Sequence, residues 1–240
     1  TGITAMPTKT GFRCCLKPYL PDAEVKNADI VFTGSPKKNR EYREKGINSH
    51  FLPQFTRLDK FYHAPREKLK KKVLFVANQW PDFPLRKSVE YAKKSGVELE
   101  VFGDNWENSL FGEYAGWWKA RQIPNDQLKY FYSSADIVLN DTRPDMIEAG
   151  FISNRIFDAT ACGTLVISDY MPEIEAIYGD SVPMYKNGDE LARLVRYYLD
   201  PAHEPERREK AARAREITLR YFTAEQAAEK FQEIIHNIKK

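Results

Sequence analysis

Short apolar runs alternate with amphipathic stretches along most of the chain. Ala28–Gly34 (ADIVFTG) is an apolar run stopped by Thr-Gly-Ser-Pro, the pattern of a buried strand ending in a turn. Lys37–Lys45 has helical character and Gly46 closes it. Ser49–Pro53 predicts another short strand. From Thr56 to Lys72 the chain turns polar and basic, with Pro65 inside it, and predicts a linker.

Beyond that linker the alternation becomes regular. Strands are predicted at Lys72–Ala77, Leu99–Phe102, Asp136–Asn140 and Thr164–Asp169, and helices at Leu85–Ser95, Asp126–Ala135, Arg155–Cys162 and Asp189–Leu199. Glu204–Lys240 is mostly helical, with a break near Tyr221-Phe222-Thr223. Thr223 and Gln226 have the spacing of a capping box there. Strand and helix in turn predict an α/β domain built on a parallel sheet. Ligands of such sheets lie outside the carboxyl ends of the strands. That directs attention to Asn78–Arg86, Gly103–Trp106, Asn140–Arg155 and Ser168–Glu175.

Composition narrows the function classes. The 240 residues carry a formal charge of +3, too mild for a general grip on nucleic acid. The 42% hydrophobic fraction supports a real core rather than disorder. No apolar run reaches the length of a membrane span. Thr1–Lys17 lacks the pattern of a signal peptide, and a chain starting at Thr1 reads as processed or as part of a longer one. Three cysteines, Cys14, Cys15 and Cys162, show no zinc spacing and fit a reducing, cytoplasmic setting. Cys162 reads as a small buried residue, and Lys68–Lys72 as a solvated linker face.

Asn140–Asp169 is the segment richest in chemistry. A strand ends at Asn140 and leads into a loop with Asp141, Thr142, Arg143, Asp145 and Glu148. Ser153 or Asn154 is placed to cap the next helix, whose free N–H groups and dipole favour an anion. Arg155 in the first turn opposes that dipole, so it calls for an anion or a carboxylate partner. Asp158, one turn on, is spaced to accept hydrogen bonds from a ribose. The same residues also fit a plain reading: a cap, an ion pair and a surface charge.

Gly150-Phe151-Ile152-Ser153-Asn154-Arg155-Ile156-Phe157-Asp158-Ala159, then Ala161-Cys162-Gly163-Thr164 and Ile167-Ser168-Asp169, closely resembles the carboxyl-terminal half of CgeB-like, family-1-type glycosyltransferases of the GT-B group. Asp189-Glu190-Leu191 with Tyr197-Tyr198-Leu199, Arg207–Arg215 and Tyr221-Phe222-Thr223 extend the resemblance, which runs over roughly Lys72–Ile235. It implies a GT-B-like, Rossmann-like parallel sheet with flanking helices, plus a partial second Rossmann-like domain. It also implies a hexosyltransferase-type activity with a nucleotide-diphosphate-sugar donor, no further cofactor and no metal. On this resemblance Asp158 holds the donor ribose and Arg86 meets the diphosphate, with Lys87 beside it. Asn154 and Arg155 hold phosphate or sugar, and Gly103 with Asp104-Asn105-Trp106 lies near the base. Asn140 and Asp141, at the strand end, complete the donor set. The acceptor, a glycan, lipid, protein or small molecule, is unspecified.

One departure stands out. Many relatives carry a carboxylate eight residues before the ribose acid, and here that position is Gly150. Glu148 and Asp145 are the acids nearest to it, so Arg86 and Glu148 are the catalytic candidates. No Ser/His/Asp arrangement is legible, and His50, His203 and His236 read as structural or surface residues. The expected organisation is 1–63 as the remnant of an amino-terminal, acceptor-side domain and 64–71 as linker. Residues 72–219 form the donor domain, and 220–240 a terminal helix packing back on the amino-terminal part. A non-catalytic nucleotide-sugar-binding module, and then a GT-B-type epimerase, are the alternatives.

Overall fold

The computed structural model describes residues 14–16, 25, 28–80 and 84–238. Expectations resting on residues 1–13, or on the side chains of Cys14 and Cys15, lie outside the described residues. Two parallel sheets form the frame. The smaller has the order β1 (Cys14–Leu16), β2 (Ile30–Thr33), β3 (Ser49–Phe51). Helix α1 (Pro36–Glu44) connects β2 to β3. Its cap, Ser35, accepts from the Lys38 amide at 3.0 Å, and Pro36 suits the first helical position, where no N–H partner is needed.

The larger sheet has six parallel strands in the order β6-β5-β4-β7-β8-β9. These are β4 (Lys71–Val76), β5 (Glu100–Phe102), β6 (Trp118–Ala120), β7 (Ala135–Asn140), β8 (Leu165–Asp169) and β9 (Met184–Tyr185). Side chains alternate across it, as strand geometry requires. Val73, Phe75, Ile137, Leu139, Leu165 and Ile167 face α2 (Lys87–Ser95) and α7 (Gly188–Leu199). Leu74, Val138 and Val166 face the opposite layer, with α3 (Leu128–Ser134), α5 (Asn154–Ala161) and α8 (Glu204–Tyr221). Each fully buried aliphatic or aromatic side chain of these two cores contributes about 2 kcal/mol relative to exposure.

The α/β parallel architecture predicted from the sequence is present. Several short elements were not predicted. The polar loop after β7 contains α4 (Pro144–Ala149), closed by Gly150 at φ 65°, and α6 (Pro172–Tyr178) follows β8. The predicted Asp126–Ala135 helix is confined to Leu128–Ser134, and Ala135 already begins β7. Lys71 is part of β4, where it pairs with Glu100, so it is not a solvated linker charge.

The stretch predicted as a linker is tied down. Phe61 is buried against Tyr132, and Thr56 forms a parallel bridge with Thr223. That bridge lies where α8 gives way to α9 (Ala224–Ile238). Thr223 and Gln226 make the predicted capping contact, the Gln226 side chain accepting from the Thr223 amide at 3.2 Å. Helix α9 lies on the smaller sheet, with Phe231 4.8 Å from Phe32 between ring centroids. The two sheets also meet at α4. The Ser35 hydroxyl donates to the Ala149 carbonyl, and Lys37 Nζ donates to the Glu148 carbonyl at 2.9 Å.

Candidate functional site

The strand order reverses between β4 and β7, so connections leave in opposite directions and open a crevice at their carboxyl ends. A cleft of about 490 Å³ lies there. The loops after β4 and β5 form one wall. Asn78 Oδ1 accepts from the Asp104 amide at 2.9 Å, and the Gln79 amide donates to the Asp104 carbonyl at 2.9 Å. Gly103 allows this close approach. At φ 144° a Cβ would stand 2.0 Å from the Ala77 carbonyl oxygen, so no other residue fits without moving backbone. Trp106 is fully buried below, its Nε1 donating to the same carbonyl at 2.8 Å.

Two arginines stand in the cleft wall. Arg86, 7% exposed, donates Nε to Asp141 Oδ1 at 2.8 Å, and its Nη2 joins the same carboxylate. Nη1 donates to the Asn78 carbonyl at 3.1 Å. The other oxygen of Asp141 accepts from the Ser88 amide at 3.0 Å. The Trp80 ring lies over the guanidinium, 4.3 Å from centroid to carbon. Arg155 donates Nε to the Val76 carbonyl and Nη1 to Asn140 Oδ1, both at 2.8 Å. Those acceptors are neutral, so the expected carboxylate partner is not what holds Arg155. Burial, and then the charge of Arg86, push the Arg155 guanidinium down from its usual value. It stays cationic, as guanidinium does at working pH.

Asp158 faces the cleft from α5, with Ser153 capping the helix and accepting from the Arg155 amide at 3.3 Å. Burial pushes its carboxyl up to about 7, against a hydrogen bond from the Thr56 hydroxyl at 2.8 Å. It is therefore neither a fully exposed charge nor unpartnered. Asp169, at the end of β8, is pushed up to about 6 by burial, while the amide and hydroxyl of Thr142 oppose that shift.

The cleft thus brings together Arg86, Gly103, Asp141, Arg155 and Asp158 of the predicted residues. Asn140 lies behind it, fully buried, bracing Arg155 and donating to Ser168 at 2.9 Å. The structure does not place the other three in its walls. Lys87 is half exposed, 4.0 Å from Asp169, and Asn154 is exposed beside the cap. Glu148 points its side chain into solvent on α4, because the tight Gly150 turn and the contact with α1 fix that helix by its backbone. Arg86 stands in the wall where the resemblance expects it, with most of its donors spent on Asp141 and Asn78.

The walls also hold Trp80 and Arg143, which lie in stretches singled out from the sequence but given no role there, and Arg121, Leu128 and Tyr132. Trp80 had a signal, a large aromatic in a polar strand-end stretch. Arg121 had none, because β6 before it is only three residues long. Cys162 is buried as expected, and burial pushes its thiol up to about 12.

A family model described as glycosyl transferase-like matches residues 62–233. The chain belongs to the glycosyl transferase-like family. The family-1-type, GT-B fold is matched among solved structures as well. Sucrose-phosphate synthase from Thermosynechococcus elongatus aligns over 90% of this glycosyl transferase-like chain and 60% of its own, at 19% identity and a TM-score of 0.67. Anabaena HepE, in complex with UDP and glucose, aligns over 90% and 65%, at 14% identity and a TM-score of 0.66. The pneumococcal O-GlcNAc transferase GtfA, in complex with UDP and GlcNAc, aligns over 90% and 46%, at 12% identity and a TM-score of 0.57. The chain therefore spans about 60 to 65% of the length of the first two. A search of the curated proteins finds no match. Among the described residues, no helix of this family member is long and apolar enough to cross a membrane.

Proposed function

We propose that this chain carries the nucleotide-sugar site of a glycosyltransferase, in the cleft at the ends of β4, β5 and β7. One observation carries the reading. Asp158 and Arg155, both on α5, and Arg86, from the loop after β4, face a single cleft at the strand-order switch. A carboxylate for ribose hydroxyls beside a cation, Arg155, for a diphosphate is the set a nucleoside diphosphate needs. The glycosyl transferase-like family, and the UDP named with HepE and GtfA, support the same ligand class.

In this reading Asp158 accepts hydrogen bonds from the ribose. Arg155 presents the less balanced charge to the diphosphate, because its hydrogen bonds go to neutral acceptors. As the glycosidic bond breaks, the leaving diphosphate gathers negative charge, and a cation already in place stabilises it. Arg86 and Asp141 brace that wall. The Gly103–Asn105 loop and the Arg121–Ile123 segment flank the base. CgeB-like membership, a hexosyl donor, transfer without a metal and a cytoplasmic setting belong to the same proposal. So does the division into 1–63, 64–71, 72–219 and 220–240. The acceptor is a glycan, lipid, protein or small molecule.

A second reading, a nucleotide-sugar-binding module inactive by itself, is favoured by the share of the neighbours' length the chain spans. Calorimetric titration with UDP-, GDP- and ADP-glucose, followed by a donor-hydrolysis assay, separates the readings. The expected result is binding of one of them with Kd between about 1 μM and 1 mM, the usual range for enzyme substrates. Binding with turnover supports the transferase, and binding without turnover supports the module. No binding of any nucleotide overturns both.

A further inference from the structure

Thr56 is 1% exposed and is fixed on three sides. Its amide donates to the Phe222 carbonyl at 2.8 Å, and its carbonyl accepts from the Ala224 amide at 2.9 Å. Its hydroxyl donates to Asp158 Oδ1 at 2.8 Å, across 102 residues of chain. The backbone bonds leave the side chain little freedom, and a β-branched residue is stiff at χ1. Among the described residues no protein donor meets the other oxygen of Asp158, which leaves it for a ligand in the cleft. The two segments that join the sheets, the stretch after β3 and the α8–α9 junction, meet at this residue.

We propose that Thr56 is a positioning residue of the nucleotide site. Its hydroxyl holds the Asp158 carboxylate oriented and ionised for the ribose, from the point where the two joining segments cross. This rests on the nucleotide reading of the cleft given above. A hydrogen bond donated to a carboxylate favours its charged form. Here it opposes the burial that pushes Asp158 up to about 7. The ionisable groups around Asp158 are Tyr132 from α3, Tyr178 from α6, and Cys162 and Arg155 from its own region of α5. Burial pushes both phenols and the thiol far above neutrality, so they stay uncharged. Arg155 is turned to Val76 and Asn140. Thr56 is therefore the group that opposes burial at Asp158.

The test uses carboxyl-carbon NMR of aspartate-labelled protein, with the Asp158 signal assigned by its loss in Asp158→Asn. Binding of UDP-glucose is measured in parallel from pH 5.5 to 8.5, where its diphosphate has no titrating group. Thr56→Val is expected to raise the Asp158 midpoint by about one pH unit. It should weaken UDP-glucose about tenfold below neutrality and much less at pH 8.5. Thr56→Ser restores both profiles. A Thr56→Val variant that does not fold is replaced by Thr56→Ala, read the same way. An unmoved midpoint overturns the proposal, and so does a moved midpoint that binding does not follow. Wild-type protein that binds none of UDP-, GDP- and ADP-glucose overturns it through the nucleotide reading before any substitution is made; where GDP- or ADP-glucose binds in place of UDP-glucose, that sugar nucleotide is the probe.

Discussion

Arg86 and Asp141 form a buried ion pair in the wall of the cleft, at 7% and 2% side-chain exposure. The contact joins the loop after β4 to the end of β7, across the point where the strand order reverses. Removing one partner strands a charge out of water, which costs about 3–5 kcal/mol. Asp141→Asn and Arg86→Met are each expected to lower the unfolding free energy by that amount in urea titration. Arg86→Lys is expected to fail as a rescue, because an ammonium cannot reproduce the paired contacts of the guanidinium fork. Wild-type stability in Arg86→Met would show that the pair is a ligand contact and not a brace.

Arg155 is expected to act on phosphate. Arg155→Met should weaken UDP about tenfold or more, in line with the loss of a charge-assisted hydrogen bond. Uridine should be affected much less. Calorimetry with both ligands checks this, and equal losses for UDP and uridine would contradict it.

Asp158 gives stability a definite dependence on pH. Its carboxyl sits at about 7 in the folded protein, above the unfolded value of an ordinary aspartate. Between about pH 4 and 7 the folded state therefore holds more protons, and folding stability from this group falls as pH rises. Relative to Asp158→Asn, the wild type is expected to lose roughly 3 kcal/mol across that window. Urea titrations of both proteins at pH 4.5, 5.5 and 7 measure the difference. A gap that stays constant with pH would rule out the burial of Asp158 as described.

Gly103 tests the wall itself. Its Cβ position lies 2.0 Å from the Ala77 carbonyl oxygen, at a φ other residues rarely adopt. Gly103→Ala is expected to cost about 2 kcal/mol or more, from steric overlap and backbone strain together. A change within about 0.5 kcal/mol, the range of an ordinary surface substitution, would contradict the close approach of the two loops.

The strands that build the site were legible because buried parallel strands leave continuous apolar runs, as in Val73–Val76, Ile137–Leu139 and Leu165–Ile167. Helices α4 and α6, at six and seven residues, are too short for a helical period to show. Arg86, Asp141, Arg155 and Asp158 were each legible as strand-end or helix-start polar residues. That Arg86 closes on Asp141, 55 residues away, was not. Nothing local marks that pairing, since the strand order that brings β4 beside β7 is not written in either segment. Thr56 was hidden for the same reason. It is one polar residue in a polar stretch, and its partners arrive from Asp158 and from the α8–α9 junction.

In the proposed function the cleft holding Asp158 binds a nucleotide sugar through its ribose. Calorimetric titration of UDP-glucose into wild type and Asp158→Ala, with matched melting curves to show that both are folded, decides whether it does. The expected result is saturable binding by the wild type and a loss of about tenfold or more in the variant, the cost of removing hydrogen bonds to a charged acceptor. Equal affinity in the two proteins would contradict a ribose contact at Asp158.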